Sequence, residues 1–369
     1  MTDLCRELGI SRTVGYKYLH RFEEYGFEGL LEISRSPKNC PTRVPRRLEA
    51  EIVKLRQEHE DWGAEKLLAH LQRYQPCETW PAISTVNLIL SRNNLVVRRQ
   101  HRRHILPSNP IFDPKANNEI WSADFKGKYL LRCQHYCHTL TVADSFNRYL
   151  IAADCFYSPS TYNTIASFTR IFRDYGTPLQ LHTDNGVPFG CATALGRLTQ
   201  FSVWLLEHGV EPVYSDPGHP EQNGRHERMH RDLKARATNP PAYDLKGQQT
   251  KVDAFRKEYN EVRPHKAINN LTPVDLFEPS PRKFEETVRS WDYPEGFDVR
   301  LVCRNGAVRQ GSHQWIMVST ALIGKYVGFE EVGNGISRVF YRHKFLGYLD
   351  EATWRIQDDK GRHIRGGKV

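Results

Sequence analysis

Three acidic residues in this sequence sit where a carboxylate is either costly to bury or well placed to bind a ligand. Asp124 follows Ile120-Trp-Ser-Ala and precedes Phe125-Lys-Gly-Lys-Tyr-Leu130, at the centre of an apparent strand. A carboxylate inside a half-buried strand is expensive unless a cation or a hydrogen-bond donor compensates it. Asp184 follows Leu179-Gln-Leu-His182-Thr183, just past a strand end, where open α/β sheets place their ligands. Gly186, two residues on, lets backbone approach closely. Glu227 follows a loop rich in Pro, Gly and Asn and falls in the first turn of a helix expected to begin near Gly224. Taken singly, acids of this kind are more often solvated surface groups. Together they meet the needs of phosphodiester chemistry, in which two divalent ions roughly 4 Å apart activate the attacking oxygen and stabilise the leaving one. Three carboxylates with no Cys/His ligand set point to Mg2+ (or Mn2+), two ions per site, rather than zinc.

The elements that must position these acids lie in residues 116–280, which alternate strand-like and helix-like runs. The strand around Asp124, the run from Thr139 to Ala143 and the run from Tyr149 to Ala153 read as an antiparallel meander, followed by a helix from Ile165 to Tyr175. In a helix starting near Gly224, Glu227, Arg231 and Lys234 recur at i, i+4 and i+7 and share one face. Arg231 and Lys234 could then hold DNA phosphates; the alternative is a solvated basic helix.

Ahead of this region stand two small helical units, residues 1–33 and 48–97. In the first, Gly9 can end one helix in a left-handed turn and Ser11 can cap the next. Ile10, Val14, Tyr18 and Phe22 give that second helix one apolar face. Arg12, Tyr16 and Lys17 lie on its other face, where they could reach phosphates and base edges. This is a helix-turn-helix pattern, for which the alternative is an ordinary helical hairpin. The second unit reads as helices over 48–58, from Gly63 to Leu71, and after Ser84, a candidate cap, with Val86, Ile89 and Leu90 turned inward. Basic linkers at 34–47 and 98–115 carry Arg43, Arg46 and Arg47, and Arg98, Arg99, Arg102 and Arg103. Such arms bind phosphate backbone without reading sequence.

Residues 295–357 read as short strands of a small β-barrel. Asn305-Gly306 is expected to join strands 299–304 and 307–318 as a hairpin, and Gly333-Asn-Gly335 marks a second turn. Residues 295–369 carry 12 Lys/Arg against 8 Asp/Glu, so DNA contact is open to this region as well.

The 369 residues carry a net charge of +9 and are 39% hydrophobic and 26% charged. This is a globular composition with length for several domains, and its basic balance favours a polyanionic partner. No stretch reaches the roughly 18 apolar residues that span a bilayer, which argues against a membrane partner. Eight scattered cysteines fit reduced thiols and a cytoplasmic setting. Cys133 and Cys137, near His135 and His138, lack a second ligand pair at zinc spacing.

The segments Trp121-Ser-Ala-Asp-Phe-Lys, His182-Thr-Asp-Asn-Gly-Val-Pro-Phe189, Gly218-His-Pro-Glu-Gln-Asn-Gly-Arg-His-Glu-Arg-Met-His-Arg and Tyr259-Asn-Glu-Val-Arg-Pro-His265 closely resemble the integrase catalytic core. The likeness is strongest to bacterial insertion-sequence transposases related to retroviral integrases. It covers nearly the whole chain and implies a multidomain protein: all-α helix-turn-helix units, then an α/β ribonuclease-H-like core with a mixed sheet flanked by helices over 116–280, then the β-rich tail. It also implies that Asp124, Asp184 and Glu227 are the acidic triad. The family's spacing fits Glu221, with 36 residues after Asp184 intervening, better than Glu227, with 42. Glu227 is preferred because the motif glutamate follows the Asn-Gly step and starts a helix. The extra residues are then an insertion between Phe189 and Glu211, and Glu211 and Glu221 are set aside. Against the family, the first helix-turn-helix starts almost at Met1, without the helix that usually precedes the pair.

The resemblance implies a DNA transposase acting on double-stranded DNA, both element ends and target, as a homo-oligomer assembled on DNA. A regulator or inactive remnant using only the helix-turn-helix units is the alternative of another class. A nuclease that cuts without joining would share the whole core.

Overall fold

The computed structural model describes residues 2–32, 43–96, 113–191, 193–216, 224–311 and 314–357. They divide into two units, one ending at Gln57 and one starting at Glu58. Among the described residues, no helix is long and apolar enough to cross a membrane.

The first unit contains α1 (Thr2–Glu7), α2 (Arg12–Tyr25) and α3 (Arg46–Glu58). Gly9 adopts φ +63° and the Ser11 hydroxyl accepts from the Val14 amide, so the turn and the cap of α2 form as expected. The apolar stripe of α2 does not turn inward: Ile10, Val14 and Phe22 remain exposed. A helix buries such a stripe only against another element, and α1, at six residues, is under two turns long.

The second unit opens with α4 (Ala64–Tyr74) and α5 (Ile83–Arg92). Leu67, Leu68 and Leu71 of α4 and Val86, Ile89 and Leu90 of α5 are buried at helical spacing. The residue capping α5 is Ala82, with Ser84 already inside the helix. Ion pairs tie the α4 region to the chain that follows. Asp61 binds Arg236 and Arg263, Glu65 binds Lys266, and Arg73 binds Asp275.

A five-stranded mixed sheet forms the centre, built from β1 (Ile120–Leu130), β2 (Tyr136–Asp144), β3 (Leu150–Phe156), β4 (Gln180–Thr183) and β5 (Glu211–Tyr214) in the order β3-β2-β1-β4-β5. The first three strands form the expected antiparallel meander; β4 runs parallel to β1, and β5 parallel to β4. Strand side chains alternate between faces. Trp121, Leu140, Val142 and Leu181 point to one face, in a core shared with Phe168 and Phe172 of α6 (Thr161–Tyr175) and Phe201 and Leu205 of α7 (Gln200–Glu207). The other face carries Cys137, Leu150, Ala153 and Cys155 against Met229 and Leu233 of α8 (Gly224–Leu233) and Val252 and Phe255 of α9 (Leu245–Lys257). Both α8 and α9 run on into a π-helical turn, Lys234–Thr238 and Glu258–Val262. Glu227 falls in the first turn of α8 as described.

The C-terminal region corrects two expectations. Strands β6 (Phe297–Leu301), β9 (Tyr326–Gly333), β10 (Ile336–Tyr341), β11 (Lys344–Asp350) and β12 (Arg355–Gln357) form an antiparallel sheet in the order β12-β11-β10-β9-β6, while β7 (Ala307–Gln310) and β8 (Gln314–Met317) pair only with each other. Among the described residues no hydrogen-bonded ladder joins β12 to β6, so the sheet is open and the expected barrel is not closed. Asn305-Gly306 is a turn, but it does not fold 307–318 back on β6, which pairs with β9 instead. The reason is local: the Gly306 carbonyl accepts from the Val318 and Ser319 amides, and the run 307–318 is itself bent at Gly311, φ +59°.

The insertion between Phe189 and Glu211 has a structural role. Leu195, Leu198, Val203 and Leu206 share one buried cluster with Val302, Val308, Ile316, Val327, Val339, Leu346 and Ile356 of the C-terminal region. At its edge, Glu207 binds Lys325 and the Tyr341 hydroxyl, and Glu211 binds His343 and Lys344. Leu198 is fully buried, and truncating a buried leucine leaves a cavity that partial relaxation does not fill. Leu198→Ala is therefore expected to destabilise the second unit by about 3 kcal/mol, read as a lower denaturation midpoint in urea.

Candidate active site

The segments that carry Asp124 and Asp184 are neighbours in the sheet through strand register. The parallel β1–β4 ladder aligns Ile120 with Gln180, Trp121 with Leu181 and Ser122 with His182. Two residues further along each strand lie Asp124 and Asp184, both at the carboxyl side of this ladder. The alternation of side chains puts Asp124 on the same face as Ser122, away from the Trp121 core and toward α8. Asp184 lies just beyond the end of β4.

The loop after Asp184 is built around its carboxylate. The Gly186 amide donates to Asp184 Oδ1 at 3.1 Å, and a Cβ on Gly186 would stand 3.1 Å from Oδ2. Glycine thus lets the loop close over the carboxylate. Asn185 spans the ends of two strands. Its Nδ2 donates to the Ser215 carbonyl at 2.6 Å, and its Oδ1 accepts from Arg197 at 3.2 Å.

Helix α8 lies on the Asp124 face through residues that sequence reasoning missed. His226 Nε2 is 2.9 Å from Ser122 Oγ, and His230 Nε2 is 2.7 Å from Thr141 Oγ1. Thr141 is the β2 residue opposite Asp124. His230 Nδ1 faces Asp124 Oδ2 at 3.7 Å. Both imidazoles are buried. Burial holds His226 well below the ordinary histidine range, at about 4, and burial with help from His226 takes His230 to about 3. The same desolvation puts His182 at about 4. All three rings are neutral at physiological pH.

A sequence signal for this pair existed. His226, Met229, His230 and Leu233 form the i, i+3, i+4, i+7 stripe that α8 turns inward. Two histidines thus occupy positions where apolar residues are expected. Among the described residues, Asp124, His226 and His230 are the group whose ligand atoms all lie within 4.8 Å of one another. Glu227, one residue after His226, is exposed beside this stripe, as are Arg231 and Lys234. Arg12, Tyr16 and Lys17 are exposed on α2; Arg43 is exposed ahead of α3, and Arg46 and Arg47, expected in the linker, are exposed in the first turn of α3. Arg98, Arg99, Arg102 and Arg103 lie outside the described residues, as does Glu221. Glu211 is occupied by His343 and Lys344. Cys137 is buried with its thiol on the Tyr129 hydroxyl.

The integrase core domain family matches residues 114–220, and a second integrase core domain model matches residues 208–273. Residues 114–273 thus carry the integrase core. The chain also matches a homeodomain-like domain over residues 14–90. It is 27% identical over 241 residues to a 39.2 kDa protein of insertion element IS476 from Xanthomonas euvesicatoria, a match covering 64% of this chain and 66% of that protein. It is also 27% identical over 232 residues to a 31.7 kDa protein of insertion element IS407 from Burkholderia multivorans, covering 62% of this chain and 80% of that one. The integrase catalytic core domain of HTLV-2 resembles it at 16% identity and a TM-score of 0.36, over 45% of this chain and 100% of that domain.

Proposed function

We propose that this chain is a transposase that binds the ends of a mobile element, frees their 3′-hydroxyls by hydrolysis and joins them to target DNA by in-line transesterification. The observation that supports the reading is the register of β1 and β4: Asp124 within β1 and Asp184 just past β4 each follow the last aligned pair of the parallel ladder by two residues, and α8, which bears Glu227, packs on the Asp124 face.

Asp124, Asp184 and Glu227 would hold the metal. Their donor set is all oxygen and anionic, which suits hard ions of the Mg2+ or Mn2+ kind. A pair of such ions, when bound, supplies charge stabilisation for the attacking and leaving oxygens. The chain's own contribution is placement. Gly186 and Asn185 fix the loop that aims Asp184, and the inward stripe of α8 fixes the helix beside Asp124. Arg231 and Lys234, on the exposed side of α8, hold DNA phosphates next to the triad. Arg12, Tyr16 and Lys17 of α2 meet the element ends, and the arm residues Arg43, Arg46 and Arg47, with Arg98, Arg99, Arg102 and Arg103, add contacts to the phosphate backbone. Joining two ends in one event calls for a homo-oligomer on double-stranded DNA.

The test is a strand-transfer assay on duplexes carrying the ends of the element that encodes the protein. Joined products in Mg2+ that vanish on chelation are expected. Cleavage without joining would make the protein a nuclease, and binding without either would make it a regulator.

A further inference from the structure

The triad accounts for the oxygen side of the pocket and leaves the nitrogen side without a role. His226 and His230 are at most 7% exposed, yet they lie beside Asp124 rather than in an apolar core. Their hydrogen bonds determine which ring nitrogen carries the proton. The Thr141 hydroxyl donates to the Asp124 carbonyl at 3.1 Å, and the Ser122 hydroxyl donates to the Ala143 carbonyl at 3.4 Å. With their protons committed to backbone, both hydroxyls serve the imidazoles as acceptors. The Nε2–H of His226 then points to Ser122 at 2.9 Å, and the Nε2–H of His230 to Thr141 at 2.7 Å.

This arrangement leaves a lone pair on each Nδ1. His230 Nδ1 faces the Asp124 carboxylate at 3.7 Å, and His226 Nδ1 faces Thr141 Oγ1 at 3.4 Å. Each of these contacts sets one acceptor against another, with no proton between them. A buried imidazole lone pair in such a position is costly unless a cation takes it up. Metal-bound histidines show the same pattern: one nitrogen on the ion, and the other tied by its N–H to an oxygen that fixes the ring.

We propose that Asp124, His226 and His230 form a site for an imidazole-preferring transition dication, Zn2+ or Co2+ in class, distinct in donor chemistry from the all-oxygen site but sharing Asp124 with it. The two imidazoles and one carboxylate supply three protein ligands and leave an open coordination position, the ligand count of a four-coordinate site with one exchangeable position. Because Asp124 belongs to both donor sets, an ion held by the histidines draws that carboxylate away from the Asp184 and Glu227 side. The proposal rests on the functional reading only through this shared residue.

Co2+ titration of the full chain, followed by visible absorption, tests the site without any activity readout. Four-coordinate Co2+ with nitrogen ligands absorbs far more strongly than six-coordinate Co2+ among oxygens. One equivalent of intense bands, abolished by added Zn2+, is expected for the wild type. His226→Asn and His230→Asn should each weaken Co2+ binding by more than about a hundredfold, and Ser122→Ala, which frees the far side of His226, by roughly tenfold. Asp184→Asn and Glu227→Gln should leave the bands in place while abolishing strand transfer, so failure of this site and failure of the transposase reading give different results. Circular dichroism checks that the histidine variants fold; should either not, Asp124→Asn, a substitution at a partly exposed residue, replaces it and must also lose the bands. Absence of bands in the wild type, or bands that survive loss of a histidine or of Asp124, would overturn the proposal.

Discussion

Glu227→Gln is expected to lower the rate of strand transfer by about 10³-fold or more, whereas Glu221→Gln leaves it within about threefold. The size follows from the role. Metal ions contribute several kcal/mol of charge stabilisation to an in-line displacement, and each 1.36 kcal/mol is tenfold in rate, so removing one anionic ligand costs decades. The contrast between the two glutamates follows from the helix. Glu227 lies in the first turn of α8, whose neighbouring His226 and His230 rest on Ser122, Thr141 and Asp124. Glu221 lies outside the described residues. Since Glu227 is exposed, amidation should change stability by no more than about 0.5 kcal/mol, and melting temperature and DNA affinity should match the wild type. Asp184→Asn belongs to the same class, with loss of rate at unchanged melting. If instead Glu221→Gln abolished joining and Glu227→Gln did not, the third ligand would lie in the loop, and the shorter spacing would be the right guide.

What could be read from the sequence follows physical range. The meander around Asp124 and the cap and turn of α2 are set by nearby residues, and each is found where the residues place it. That the segments carrying Asp124 and Asp184 are neighbours is harder to read. It depends on β4 pairing with β1 across some sixty residues, and the motif likeness supplied what local patterning could not. Three features escaped for a common reason, namely that they depend on which surface meets which. Ile10, Val14 and Phe22 have helical spacing, but spacing does not supply the partner that would cover them. Asn305-Gly306 is a turn in both readings, yet β7 pairs with β8, and the Gly306 carbonyl is held by the Val318 and Ser319 amides. The insertion after Phe189 looks like spare length until Leu195, Leu198, Val203 and Leu206 meet the C-terminal sheet. His226 and His230 show in the sequence only as an interruption of the apolar stripe on α8, beside an acid that carries the stronger motif signal.

Arg263→Ala is expected to destabilise the second unit by about 4 kcal/mol, the range for leaving a buried charge without its partner. Arg263 lies in the Tyr259–His265 motif segment, and its side chain is only 8% exposed. Its guanidinium holds Asp232 at the end of α8 at 2.8 Å and Asp61 ahead of α4 at 2.9 Å. One residue thus fixes the helix of Glu227 and the helical region before the core. Removing it leaves Asp232 without its guanidinium partner, while Asp61 keeps Arg236. Asp232 should therefore account for most of the loss. Arg263→Lys retains the charge but not the two-pronged geometry, and should fall between alanine and wild type. Adding Asp232→Asn to Arg263→Ala should recover part of the lost stability, because the orphaned carboxylate is gone; the signature is non-additivity in a double-mutant cycle by urea denaturation. Faster amide exchange in both α4 and α8 of the alanine variant would mark the loss of the shared anchor. A cost below about 1 kcal/mol would instead place this pair among solvated surface contacts, which contribute little, and the packing of α8 on β1 would then rest on its inward stripe alone.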